Sequence, residues 1–110
     1  MLALLVSGCS APAPSPQASA DFAAKAIPSD TRLAALYTQS CKICHADPAS
    51  GAPLTGDAAA WRPRLAQDDE TLLASVISGK NAMPAGGQCF TCTPADFKAL
   101  IAFMSKAKPQ

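Results

Sequence analysis

The stretch Cys41-Lys42-Ile43-Cys44-His45 sets two thiols and the chain's only histidine within five residues. Whatever those three donors hold dictates the fold around them. Soft and borderline ligands at this spacing suit a zinc ion, a disulfide or a covalently attached haem. A second pair, Cys89 and Cys92, repeats the Cys-x-x-Cys spacing without a following histidine. Zinc sites built from two such pairs usually separate them by about 15–20 residues, and here the gap is much longer. A thioredoxin-like redox motif needs a strand–helix–strand surround, which the helical patterning of this chain denies. Cys-x-x-Cys-His is the haem attachment signature: two thiols add across the vinyl groups and the next imidazole turns onto the iron. Cys41, Cys44 and His45 are therefore the expected attachment and ligand residues of one haem c.

Composition agrees with a filled core of this kind. A chain of 110 residues supports one small domain. Four Phe, one Tyr and one Trp leave it poor in large rings, so a bulky apolar cofactor would complete the interior. A net charge of +1 gives no electrostatic reason to expect nucleic acid as a partner. Lys98, Lys106 and Lys108 read as a solvated helix face, with partner docking as the second reading.

The N-terminus reads as an address. Residues 1–8 form a short apolar run, far below the roughly 20 residues needed to span a bilayer. No basic segment precedes it, so the expectation is that the natural start lies upstream or has been trimmed. Val6-Ser7-Gly8-Cys9 resembles a bacterial lipobox, which makes Cys9 the expected acylated residue and membrane anchor; a truncated secretory signal with an incidental cysteine is the alternative. Either way the chain is expected to be exported, to the periplasm, where cysteines meet an oxidising compartment. Residues 9–28, rich in Pro, Ala and Ser, cannot bury a core and are expected to be an extended tether. Residues 29–110 are the expected folded domain.

Within that domain the patterning is helical. Ser29 or Asp30 can cap a helix carrying Leu33, Leu36 and Tyr37 into Cys41. Asp68 can cap a second, with Leu72, Leu73, Val76 and Ile77 at helical spacing and Gly79 as its stop. Thr93, Pro94 and Asp96 make a capping box before the stripe Phe97, Leu100, Ile101 and Met104. A short turn from Asp57 to Trp61 is expected before Pro63. No stretch alternates as a strand does, so the expected class is all-α with long loops.

A second iron ligand distinguishes an electron carrier from a gas-binding sensor. Met104 belongs to the apolar stripe, where methionine usually fills a core. Met83 lies instead in the turn-rich loop Gly79-Lys-Asn-Ala-Met-Pro-Ala-Gly-Gly87 and is the expected sixth ligand. Paired His/Met ligation raises the reduction potential. For Cys89 and Cys92, a disulfide is the state an oxidising compartment favours.

In chain order, CKICH, GAPLTGDAAAWRPRLAQ, NAMPAGG and CFTC closely resemble the cytochrome c5 branch of the class I c-type cytochromes. The resemblance covers most of Tyr37 to Met104. It implies the small all-α cytochrome c fold, with the first and last helices of the domain crossing over one haem, so that Leu36 or Tyr37 meets Phe97 and Ile101. It implies a Cys89–Cys92 disulfide in the family's manner. It also implies that Pro53 offers its carbonyl to His45, and that Trp61 and Arg64 lie near the haem propionates, with packing on the haem edge as the other role for Trp61. The soluble members of the family lack the lipobox and tether found here. The function implied is single-electron transfer between redox-protein donors and acceptors. The alternatives are a haem subunit held in a larger oxidoreductase and, further off, a gas-binding sensor. The chain has no nucleophile–base pair and no spare histidine for catalysis of its own.

Overall fold

In this computed structural model, helices start where side-chain acceptors stand ready for the first free backbone N–H groups. The structure describes Gly8 and residues 12–108, and the anchor expected at Cys9 lies outside the described residues. Among the described residues six α-helices follow in order: α1 Pro16–Lys25, α2 Thr31–Gln39, α3 Lys42–His45, α4 Ala58–Leu65, α5 Asp69–Ser78 and α6 Pro94–Lys106. Asp30 caps α2, Asp57 caps α4 and Asp68 caps α5, each through its side-chain oxygen. The α6 capping box forms in both directions: Asp96 N–H donates to Thr93 Oγ1 at 3.1 Å, and Thr93 N–H donates to Asp96 Oδ2 at 3.0 Å. No strand occurs among the described residues beyond a single bridge between Lys80 and Met83.

Two elements differ from the sequence expectation. Helix α1 lies inside the stretch expected to be an extended tether, because Ser15 caps it, Pro16 occupies its first turn and the run after it is rich in alanine. Helix α4 runs through Pro63 to Leu65 instead of stopping before the proline. Only one intrahelical bond is lost there, and the helix ends two residues later.

The core forms where α2 crosses α6. Tyr37, Trp61, Leu100 and Met104 make one buried cluster, with Leu33, Leu36 and Phe103 against it. Leu73, Cys89 and Phe97 make a second, with Leu36, Val76 and Cys92 at its border. The aromatic contact at the crossing is Tyr37 edge-on to Phe103, with ring centroids 5.0 Å apart. Ile101, expected at that crossing, lies half-buried in a groove with Leu65 and Leu72 on the α4–α5 side. The reason is helical phase: positions 100, 103 and 104 share the face toward α2, and 101 is turned about 100° from 100.

Candidate haem site

Helix α2 ends at Ser40, whose hydroxyl donates back to the Leu36 carbonyl at 2.6 Å. The chain then tightens at once into α3, with His45 N–H bonded to the Cys41 carbonyl at 2.9 Å. One helical turn therefore carries Cys41, Cys44 and His45. Neither cysteine is in a disulfide; Cys41 is half-buried and Cys44 exposed. Burial pushes the Cys41 thiol above its ordinary range.

His45 is buried. Its Nδ1 lies 2.7 Å from the Pro53 carbonyl oxygen, and a carbonyl can only accept, so Nδ1 carries the proton and donates. The lone pair of Nε2 is left for a metal. Burial, with the Arg64 charge acting the same way and the Pro53 bond opposing, holds the imidazole below its usual pKa. The neutral ring is the form that ligates. Trp61 covers the imidazole, its ring stacked at a centroid distance of 5.7 Å and an interplanar angle of 25°. The indole N–H donates to the Leu54 carbonyl at 2.9 Å. Arg64 Nη1 donates to the Ala60 carbonyl at 2.6 Å.

The segment 53–56 braces His45 from several directions. Thr55 N–H bonds the His45 carbonyl at 2.8 Å, and Gly56 N–H bonds the Met104 carbonyl of α6 at 2.8 Å. The Thr55 hydroxyl and the Tyr37 hydroxyl pair at 2.9 Å in the interior. Sequence reading passed over Tyr37 and Thr55 as polar partners and Leu54 as an acceptor. Each works through a contact between distant positions, and no local spacing signals it.

Met83 stands across a tight turn from Lys80, exchanging two backbone hydrogen bonds with it at 2.9 and 3.1 Å. Asn81 takes a left-handed conformation inside that turn, one asparagine tolerates. The Gly79 α-carbon is packed so closely on the Met83 carbonyl and the Ala85 N–H that a side chain there would clash. After Pro84 the chain makes a left-handed turn through Gly86, Gly87 and Gln88. This turn lies on α5 and on the Phe97 ring of α6. The Cys89–Cys92 disulfide, with 5.4 Å between α-carbons, closes the loop just before α6.

These donors fit a covalently attached haem better than a metal held by side chains alone. Two thiols are free beside an imidazole with one open nitrogen, and the other cysteine pair is joined to itself. Among the described residues, no group of three or more His, Cys, Asp or Glu comes together to hold a metal ion.

Comparison with known proteins agrees. Residues 28–104 match the family model described as cytochrome c oxidase, cbb3-type, subunit III. Cytochrome c5 of Azotobacter vinelandii is 42% identical over 67 residues, which is 59% of this chain and 81% of that protein. The chain belongs to the class I c-type cytochromes, in the c5-like branch. A solved mono-haem ferrocytochrome c from Shewanella putrefaciens is 47% identical to this cytochrome with a TM-score of 0.61, over 76% of this chain and 100% of that one. A cytochrome c in an electron transfer complex with nitrite reductase is 40% identical, also with a TM-score of 0.61, over 70% of this chain and 94% of that one. Like other members, this cytochrome has one covalently bound haem c and is an electron-transfer protein, not an enzyme.

Proposed function

We propose that this cytochrome is an exported, membrane-tethered carrier that passes single electrons between redox proteins in the periplasm. In this reading Cys41 and Cys44 hold the haem as thioethers, His45 Nε2 and the Met83 thioether are the axial ligands, and an acyl group on Cys9 supplies the anchor. The bound haem supplies a one-electron couple, which His/Met ligation places at high potential. The chain's own residues fix that couple in place. Pro53 accepts from Nδ1, strengthening the imidazole as a donor and setting its ring plane. Trp61 and the burial of His45 keep water away from that side. Arg64 lies close enough to His45 for its charge to act there, and it is the cation available to offset a propionate nearby.

The observation carrying the reading is the His45–Pro53 bond at 2.7 Å, since it commits one ring nitrogen and frees the other. Ile43, 61% exposed between the two cysteines, supports transfer at the surface through a small contact that parts quickly. The nitrite reductase complex of the similar cytochrome supports a redox-protein partner.

The test is mass spectrometry of peptides from the exported protein. It should find haem on the peptide holding Cys41 and Cys44, and an acyl group on Cys9. Pigment released by acid acetone would refute the attachment, and a soluble, unacylated mature chain would refute the tether. A subunit role in a larger oxidoreductase is the second reading, favoured by the description of the matching family. Stoichiometric co-purification with an oxidase from native membranes would establish it; a monomer exchanging electrons with soluble partners supports the carrier.

A further inference from the structure

Helix α1 lies outside residues 28–104, the part of the chain that matches the family. Ten residues make a helix too short to persist alone in water, so tertiary contacts must hold it. Ala23 is fully buried, and Phe22 and Ala26 are half-buried. The Phe22 ring rests on Gly56, where the backbone has φ +88° and where a β-carbon would collide with Cδ1 and Cε1 of that ring. Gly56 ends the segment that braces His45: Pro53 accepts from its Nδ1, Thr55 N–H bonds its carbonyl, and Gly56 itself is tied to α6 through Met104. Phe22 closes the outer side of this brace, and the Ala107 carbonyl lies beside it.

We propose that Phe22 is a positioning residue for His45, acting through residues 53–56, so that docking of α1 sets the strength of the His45–Pro53 bond and with it the reduction potential. The inference rests on His45 being the haem ligand. A firm bond from Nδ1–H to a carbonyl makes the imidazole a stronger donor and favours the oxidised iron. Loosening the brace lengthens that bond and raises the potential. The helix that joins the tether to the domain thus reaches the ligand side of the site.

The experiment uses the full-length holoprotein with Phe22→Ala and Phe22→Leu, and Leu72→Ala in the groove between α5 and α6 as a packing control. In Phe22→Ala the equilibrium constant for reduction by a fixed mediator should rise about threefold, or about 28 mV at 59 mV per tenfold for one electron. Hydrogen exchange of the His45 Nδ1–H, followed by NMR in the reduced protein, should quicken at least tenfold. Phe22→Leu should fall between wild type and Phe22→Ala, and it carries the test if the alanine variant does not fold. Lower stability with unchanged potential and exchange would overturn the proposal. So would an equal change in Leu72→Ala. Pigment extractable from the wild-type chain would instead sink the attachment reading, a separate result read first.

Discussion

At the scale of single residues, the decisive groups are those whose environment leaves one chemical state. Burial favours the neutral form of His45, and the Pro53 carbonyl takes its Nδ1–H, so Nε2 is the nitrogen that can ligate. Met83 is set by its backbone exchange with Lys80 and by Gly79, where a side chain would clash with the Met83 carbonyl. Met83→Ala should abolish the weak red-edge band of sulfur ligation in the oxidised protein. It should also allow the reduced protein to bind carbon monoxide and lower the potential by at least about 59 mV, tenfold in the equilibrium; an unchanged spectrum would assign the sixth ligand elsewhere. Asp96 is equally constrained. The Arg32 guanidinium, bonded to both its oxygens at 2.7 and 3.0 Å, and then the Thr93 N–H, hold its carboxyl well below the usual range. A depressed carboxylate contributes stability that is present above its unfolded pKa, about 3.9, and is lost as pH falls through the folded value. Asp96→Asn should therefore be less stable than wild type at pH 7, with the difference shrinking as pH falls from 5 to 2 in urea titrations. A constant difference would deny the ion pair its role.

At the scale of elements, the helices depend on their first turns. Thr93 Oγ1 accepts from the Asp96 N–H in the first turn of α6, so Thr93→Ala should cost about 1 kcal/mol, read as a lower urea midpoint at unchanged slope. Helix α6 also carries the crossing with α2. Leu100 is 1% exposed within the cluster of Tyr37, Trp61 and Met104. Leu100→Ala should cost about 2–5 kcal/mol, depending on how far the site collapses around the missing atoms. A loss below 1 kcal/mol would mean that the haem, not the crossing, organises this core.

At the scale of the molecule, the proposed ligands stand on two separately braced segments. One is the chain from α3 through residue 56, which holds His45. The other is the loop from Gly79 to Cys92, which presents Met83 and leans on α5 and Phe97. The disulfide closes so small a ring that it should add only about 2 kcal/mol on the chain-entropy model. Its larger effect should be local. Replacing Cys89 and Cys92 together by serine should quicken hydrogen exchange in residues 79–92 well before it affects α2. Uniform change across the chain would show that the bridge acts only on global stability. Among the described residues no helix is long and apolar enough to cross a membrane, so the proposed anchoring rests on Cys9.

Local arrangement carried by neighbours in sequence could be read directly: Cys41, Cys44 and His45 share one helical turn, and Thr93, Pro94 and Asp96 announce a helix start, because both depend on spacings of a few residues. The class of fold followed from the same short-range patterning together with the resemblance. What needed the tertiary structure was every bond between distant positions. Tyr37 meets Thr55, Trp61 lies on His45 while donating to Leu54, and Phe103 takes the place expected for Ile101. The phase of a helix against its neighbour is set by packing, which no local pattern encodes. Helix α1 is the sharpest case: Pro, Ala and Ser by themselves describe a tether, and only the seat beside Gly56 gives Phe22 something to hold.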